Sequence, residues 1–294
     1  MAGIMMLSGC PGGAPEDHAA GIAADAPVAE PAEPGSGATA PPSGRVVTAV
    51  PCGVAGPYGD ICDLMKESDP GIDMQPDIAN TMVLNRKLAD GKGACDAYLA
   101  MGNVEVEAIR EVGKVARAVP IAGMGLGLIV AKGNPLGIQS ISDLANDNVK
   151  AITIARPNSS VGFAAEQALR NAGVWAAVER KTARPDAPSD LKTFVIRGQA
   201  DAAIIYETCL VEVHKPGQEK QEAGQGVSTK LQDVGRIDQE LYDPFFLHVV
   251  VPTDAQNPAG ADAFIRACLS DAGQAALENW LFIPLDPADR GTGG

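Results

Sequence analysis

Metal binding and nucleophilic catalysis both start from histidines, cysteines and acids at set spacings, and this chain holds six cysteines and three histidines. His18 falls in a Pro/Ala-rich segment, His214 in a hydrophilic stretch and His248 in a strand-like run. No serine elbow or acid stands beside any of them for proton transfer, so catalysis has no support and no cofactor is expected. The cysteines form no Cys-x-x-Cys pair, and no preformed zinc site is encoded. Gly123-x-Gly125-x-Gly127 lacks the spacing of a nucleotide-binding loop and reads instead as close packing along a crossing strand. What remains is polar groups where strand-like runs give way to helical patterns: Asn80 and Thr81 at one junction, Ser160 at another. A helix start carries free N–H groups and partial positive charge, so it holds an anion without any lysine or arginine. The same residues serve equally well as ordinary N-caps.

The elements that must position these groups follow from composition and pattern. At 294 residues and 46% hydrophobic, the chain has ample material for one large domain or two lobes. A net charge of −14 without a basic run disfavours nucleic acid and an anionic membrane surface as partners. The apolar stretch Val119 to Ala131 is too short to span a bilayer as a helix, so the mature protein is expected to be soluble. Leu7-Ser8-Gly9-Cys10 resembles a bacterial lipobox, which makes Cys10 the expected lipidated first residue and residues 1–10 a lipoprotein signal. Residues 11–44, dominated by Ala, Pro, Gly, Ser and acids, read as a disordered tether between that anchor and the folded chain.

From Arg45 onward, short β-branched runs alternate with helical patterns, the signature of strand–helix–strand units around mainly parallel sheets. Strands are expected at Val46 to Val50, Ile72 to Gln75, Asp96 to Met101, Ala151 to Ala155, Ala202 to Tyr206 and Phe245 to Val251. Helices are expected at Tyr58 to Glu67, after Asn80 or Thr81, at Val104 to Arg110, from Ser142, from Ser160, at Asp190 to Arg197, at Pro258 to Leu269 and at Asp271 to Leu281. Pro120 to Val130 reads as one buried strand crossing between lobes, and His214 to Gly226 as a surface loop. The predicted fold is α/β and two-lobed, each lobe a central mixed sheet flanked by helices and the two joined by two crossing segments. Lobe I takes residues 45–125 and 246–290, and lobe II takes residues 126–245.

Three segments carry a family resemblance. Thr153-Ile154-Ala155-Arg156-Pro157-Asn158-Ser159-Ser160-Val161-Gly162, then Val195-Ile196-Arg197-Gly198-Gln199-Ala200-Asp201-Ala202 running to Tyr206, then Phe282-Ile283-Pro284 near the C-terminus, resemble the molybdate- and tungstate-binding proteins of ABC importers. That family has the type II periplasmic binding fold. The resemblance covers about Arg45 to Pro284 and implies a ligand held between lobes by loops at Cys52-Gly53, Asn80-Thr81, Ser160-Val161 and Ser189, with Tyr206 completing the set. It further implies a monomeric receptor outside the cytoplasmic membrane, in the periplasm or on the cell surface. Such a receptor hands a small oxyanion to an importer permease and touches the membrane only through its lipid. The departure from the family is Cys52, a weak donor where a serine is usual. Cys52 is thereby the expected free thiol among the five cysteines beyond Cys10, an odd number. It leaves open a second reading, a soft-metal or thiophilic-oxyanion site on Cys52 and Cys209. The anchor has its own test: Cys10→Ala should move the protein from the membrane to the soluble fraction without changing ligand binding, and a membrane-retained variant would remove the anchor.

Overall fold

The computed structural model describes residues 42–210 and 230–291. The lipobox with Cys10, the tether up to residue 41 with His18, and the stretch His214 to Gly226 lie outside the described residues. The chain begins with β1 (Gly44–Pro51), which pairs in parallel with β2 (Ile72–Ala79) on one side and β3 (Ala97–Ala100) on the other. β4 (Val115–Met124) and β10 (Phe245–Pro252) complete a sheet of order β2-β1-β3-β10-β4 in which β10 runs antiparallel to both its neighbours. A second sheet has the order β7-β6-β8-β5-β9, from β5 (Leu126–Ala131), β6 (Ile152–Thr153), β7 (Thr182–Ala183), β8 (Ala202–Tyr206) and β9 (Leu231–Arg236). β5 is antiparallel to β8 and β9, so both sheets are mixed.

Helices cover the sheets because central strands such as β1, with Val46 and Val50 fully buried, have no face to give to water. α1 (Ala55–Ser68) buries Tyr58, Ile61 and Met65, spaced along one face, against α7 (Pro258–Leu269) and α8 (Asp271–Glu278). On the other face, α2 (Thr81–Ala89) and α3 (Asn103–Arg110) build a separate core of Leu84, Leu88, Val106 and Ile109 beneath β1 and β3. The second lobe is covered by α4 (Ser160–Asn171), the short α5 (Trp175–Val178) and α6 (Asp190–Ile196). No helix among the described residues is long and apolar enough to cross a membrane.

The sheets join twice. β4 runs into β5 through Gly125, and the chain returns between β9 and β10. The Ile237 N–H donates to the Leu126 carbonyl at 2.8 Å and the Leu126 N–H to Tyr242 Oη at 3.0 Å, so the two crossings lie bonded side by side. The expected single strand from Pro120 to Val130 is therefore two strands. The break has a packing cause, since a side chain at Gly125 would meet the Glu207 carboxylate at 2.4 Å, and the Gly125 carbonyl accepts the Glu207 N–H. Gly123 and Gly127 are closed in by Ile283 and Leu210 in the same way, as close packing requires.

Other boundaries differ for local reasons. The first strand starts at Gly44, paired with Ile72, inside the segment read as tether. The helix expected from Ser142 is a 3-10 turn over Ile141–Ala145, with Ser140 and Asp143 capping each other's backbone. The strand over Ala151 to Ala155 shortens to Ile152–Thr153, and β7, β9 and α5 were not expected. β9 escapes the pattern because Gln232, Asp233 and Arg236 suit an edge strand, bulged against β5.

α4 is held so tightly that its third residue must be glycine. A Cβ at Gly162 would stand 2.0 Å from the Arg156 carbonyl oxygen and 2.6 Å from that of Ala155, both backbone atoms with nowhere to go. Gly162→Ala should therefore lower stability by about 1–3 kcal/mol. A urea titration should show the midpoint falling at unchanged slope, and an unmoved midpoint would mean the loop before α4 is free to shift.

Candidate functional site

Loop one leaves β1 at Pro51 and makes a 3-10 turn over Cys52–Val54 before α1. Cys52 and Gly53 are both exposed there, and the first turn of α1 has no side-chain cap. Loop two leaves β2 at Ala79. Asn80 is the N-cap of α2, its Oδ1 accepting the Met82 N–H at 2.9 Å, while Thr81 is the first helical residue. The Asn80 side chain has a second bond: Nδ2 donates to the Ser189 hydroxyl at 3.2 Å, at the start of α6 in the other lobe. The starts of α2 and α6 thus meet between the lobes.

In the second lobe Ser159, not Ser160, is the N-cap of α4, its hydroxyl accepting the Gly162 N–H at 3.4 Å. That frees the Ser160 hydroxyl and N–H to face the first lobe. Val161 is fully buried behind them, and Tyr206, at the end of β8, bonds to the Val161 backbone and donates its hydroxyl proton to the Met101 carbonyl at 2.9 Å. Burial, and then the nearby Glu105 charge, push the Tyr206 hydroxyl well above the ordinary tyrosine range, so it stays a neutral donor.

Two residues that the sequence reading did not single out occupy the middle of this junction. Met101, just beyond β3, takes the Thr81 hydroxyl on its sulfur at 3.7 Å and places its methyl group 3.5 Å from where a Gly53 side chain would begin. Glu105, in the first turn of α3, is fully buried and crosses to the other lobe. Its carboxylate accepts the Ser160 N–H at 3.1 Å and the Ser160 hydroxyl at 2.5 Å, and the same hydroxyl accepts the Val104 N–H at 3.0 Å. Burial raises the Glu105 carboxyl and the bonds from Ser160 lower it, leaving it pushed up to about 7. The available signal was topological: Met101-Gly102-Asn103 is one more strand-to-helix junction on the same sheet, with an acid in the helix's first turn.

None of these groups is basic, so the junction offers backbone N–H, hydroxyl and amide donors rather than cations. The cavity beside Asp77, Lys87 and Cys95 and the one beside Arg117 and Arg290 share no residue with it. Cys52, Cys62, Cys95 and Cys268 are free thiols. Cys52 is exposed, Cys62 and Cys209 are half-buried, and Cys95 and Cys268 are buried. Among the described residues no group of three or more His, Cys, Asp or Glu is placed to hold a metal ion. Burial pushes the Cys95 thiol up to about 12 and Cys268 further still, so neither forms a thiolate in neutral solution. A thiol-alkylating reagent should therefore modify Cys52 in the native protein while Cys95 and Cys268 stay intact until denaturant is added. Peptide mapping reads this directly, and labelling of Cys95 at the rate of Cys52 would contradict the placement.

Solved structures share the fold at low sequence identity. The chain aligns with the sulfate-binding protein of Mycobacterium tuberculosis at 18% identity and TM-score 0.65, over 84% of this chain and 88% of that one. It aligns with the periplasmic molybdate-binding protein of Azotobacter vinelandii at 11% identity and TM-score 0.64, over 82% of this chain and all of the other. A ferric-binding protein of Campylobacter jejuni follows at 14% identity and TM-score 0.61, over 84% and 91%. No curated protein sequence matches the chain. The family model described as bacterial extracellular solute-binding protein matches residues 46–282, nearly the whole described structure. With its two mixed sheets, paired crossings and polar inter-lobe junction, the chain belongs to the bacterial extracellular solute-binding protein family.

Proposed function

We propose that this solute-binding protein captures a small tetrahedral oxyanion of the molybdate or tungstate kind between its lobes and delivers it to an ABC importer permease, held at the membrane by lipid on Cys10. One observation carries the reading. The N-terminus of α4 presents the Ser160 N–H and hydroxyl as donors to the oxygens of a buried carboxyl group, the kind of partner an oxyanion supplies. Thr81, Asn80, Ser189 and Tyr206 gather further neutral hydrogen-bonding groups within the same junction, and Cys52-Gly53 open the 3-10 turn that leads into α1 without a side-chain cap. Neutral donors suit a fully ionised oxyanion in a protein of net charge −14, because they hold it by dipoles and need no lysine or arginine in the cleft.

A solute that binds only the folded form stabilises it by RT ln(1 + [L]/Kd), so molybdate or tungstate at a hundredfold excess over Kd should raise Tm by about 5–10 °C. Sulfate, phosphate, ferric ion and soft metal ions belong in the same thermal series, and a shift with one of those alone would reassign the ligand. Thr81→Ala and Tyr206→Phe should each weaken oxyanion binding roughly ten- to a hundredfold by calorimetry, the worth of one hydrogen bond to a charged ligand. Cys52→Ser should preserve or improve oxyanion binding, whereas loss of all binding in that variant would favour the thiolate reading.

A further inference from the structure

The Glu105 carboxylate has more partners in the opposite lobe than a first-turn acid needs. An acid in the first turn of a helix ordinarily steadies its own free N–H groups while remaining in water. Glu105 instead has no exposed surface and reaches from α3 onto the start of α4, fifty-five positions along the chain. The bonding is reciprocal, because Ser160 donates its N–H and hydroxyl to the carboxylate while its oxygen accepts Val104 N–H from the start of α3. Two helix N-termini from different lobes thus share one acid and one hydroxyl. Gly102 makes the approach possible: it adopts φ +139, and a side chain there would lie 2.1 Å from the Ser160 hydroxyl.

We propose that Glu105 is the chain's own occupant of the anion position, a carboxyl latch that closes the lobes without solute and that an incoming oxyanion must displace from Ser160. The second half of that statement rests on the function proposed above. The Ser160 N–H and hydroxyl saturate one set of acceptor oxygens, so Glu105 and a solute anion compete for them.

The latch is also proton-linked. Glu105 is buried and pushed up to about 7 when the lobes are closed, and it returns to the ordinary carboxylate range when opening restores water. A group whose value is raised in the closed form favours that form at acid pH, and the preference is lost as pH climbs through the closed-form value. The titratable groups facing it are Tyr98 on β3 and Tyr206 on β8, both held neutral well above the tyrosine range by burial. On the other elements packed against α3, charges are engaged elsewhere: Lys87 on α2 with Asp77, Arg117 on β4 with Asp262, Glu166 on α4 with Arg170 and Arg184, and His248 on β10 with the Phe246 carbonyl. Arg86 on α2 is exposed, and Glu107 and Arg110 of α3 itself pair with each other on its outer surface. Among the described residues no cation forms an ion pair with Glu105.

The test compares the full chain with Glu105→Gln, whose amide keeps the shape but cannot ionise. Small-angle X-ray scattering without added anion should show the wild type opening between pH 6 and pH 8, with the open-to-closed ratio rising about tenfold. The variant should hold one radius of gyration throughout. Calorimetry with molybdate at pH 7 in buffers of different ionisation enthalpy should then show the wild type releasing a fraction of a proton on binding, as the displaced carboxyl ionises in water, and the variant releasing none. Scattering that is the same for both proteins and constant with pH overturns the latch. Proton uptake or no proton exchange in the wild type overturns displacement. If neither protein binds molybdate, the oxyanion reading fails, and the scattering comparison still decides the latch.

Discussion

Everything at the inter-lobe junction depends on the pair of crossings at Gly125 and Ile237. Because Ile237 donates to the Leu126 carbonyl and Leu126 to Tyr242, the two connections behave as one narrow bonded strip rather than two independent linkers. Glu207 and Arg236 form an ion pair beside that strip, and Gly125 has no room for a side chain against the Glu207 carboxylate. A strip of this kind fixes which loops of the two sheets face each other. The end of β2 then meets the start of α6, and the end of β3 meets the start of α4 and the end of β8, as expected where strand termini and helix starts converge in open α/β sheets.

The polar chemistry at that meeting point is unusual in how little formal charge it uses. Ser160, Asn80, Ser189, Thr81 and Tyr206 are neutral, and their bonds run between lobes or into Met101. The one ionisable acid among them is also the one group with complete burial and a carboxyl displaced toward neutrality. Burying a carboxylate is costly unless donors surround it, and two helix starts provide those donors here. The arrangement resembles a helix cap assembled from two helices that belong to different lobes. It couples lobe closure to protonation in a way that a neutral side chain could not.

The amino-acid sequence by itself determined the alternation of strands and helices from β1 to α8, since burial on both faces of a central strand demands runs such as Val46 to Val50, and amphipathic helices announce their inner face by spacing. It also determined that helices begin just after Asn80 and near Ser160. Edge strand β9 was not legible, because an edge keeps its polar residues in water and shows no apolar period. Tertiary structure alone decided that the Pro120 to Val130 run breaks at Gly125, that Ser159 takes the cap and frees Ser160, and that Asn80 reaches Ser189. It alone placed Met101 and Glu105 at the centre of the junction. The reason is physical: local pattern records which face of an element avoids water, but a contact between α3 and α4 depends on how two sheets close about a distant pair of crossings, and no local period encodes that distance.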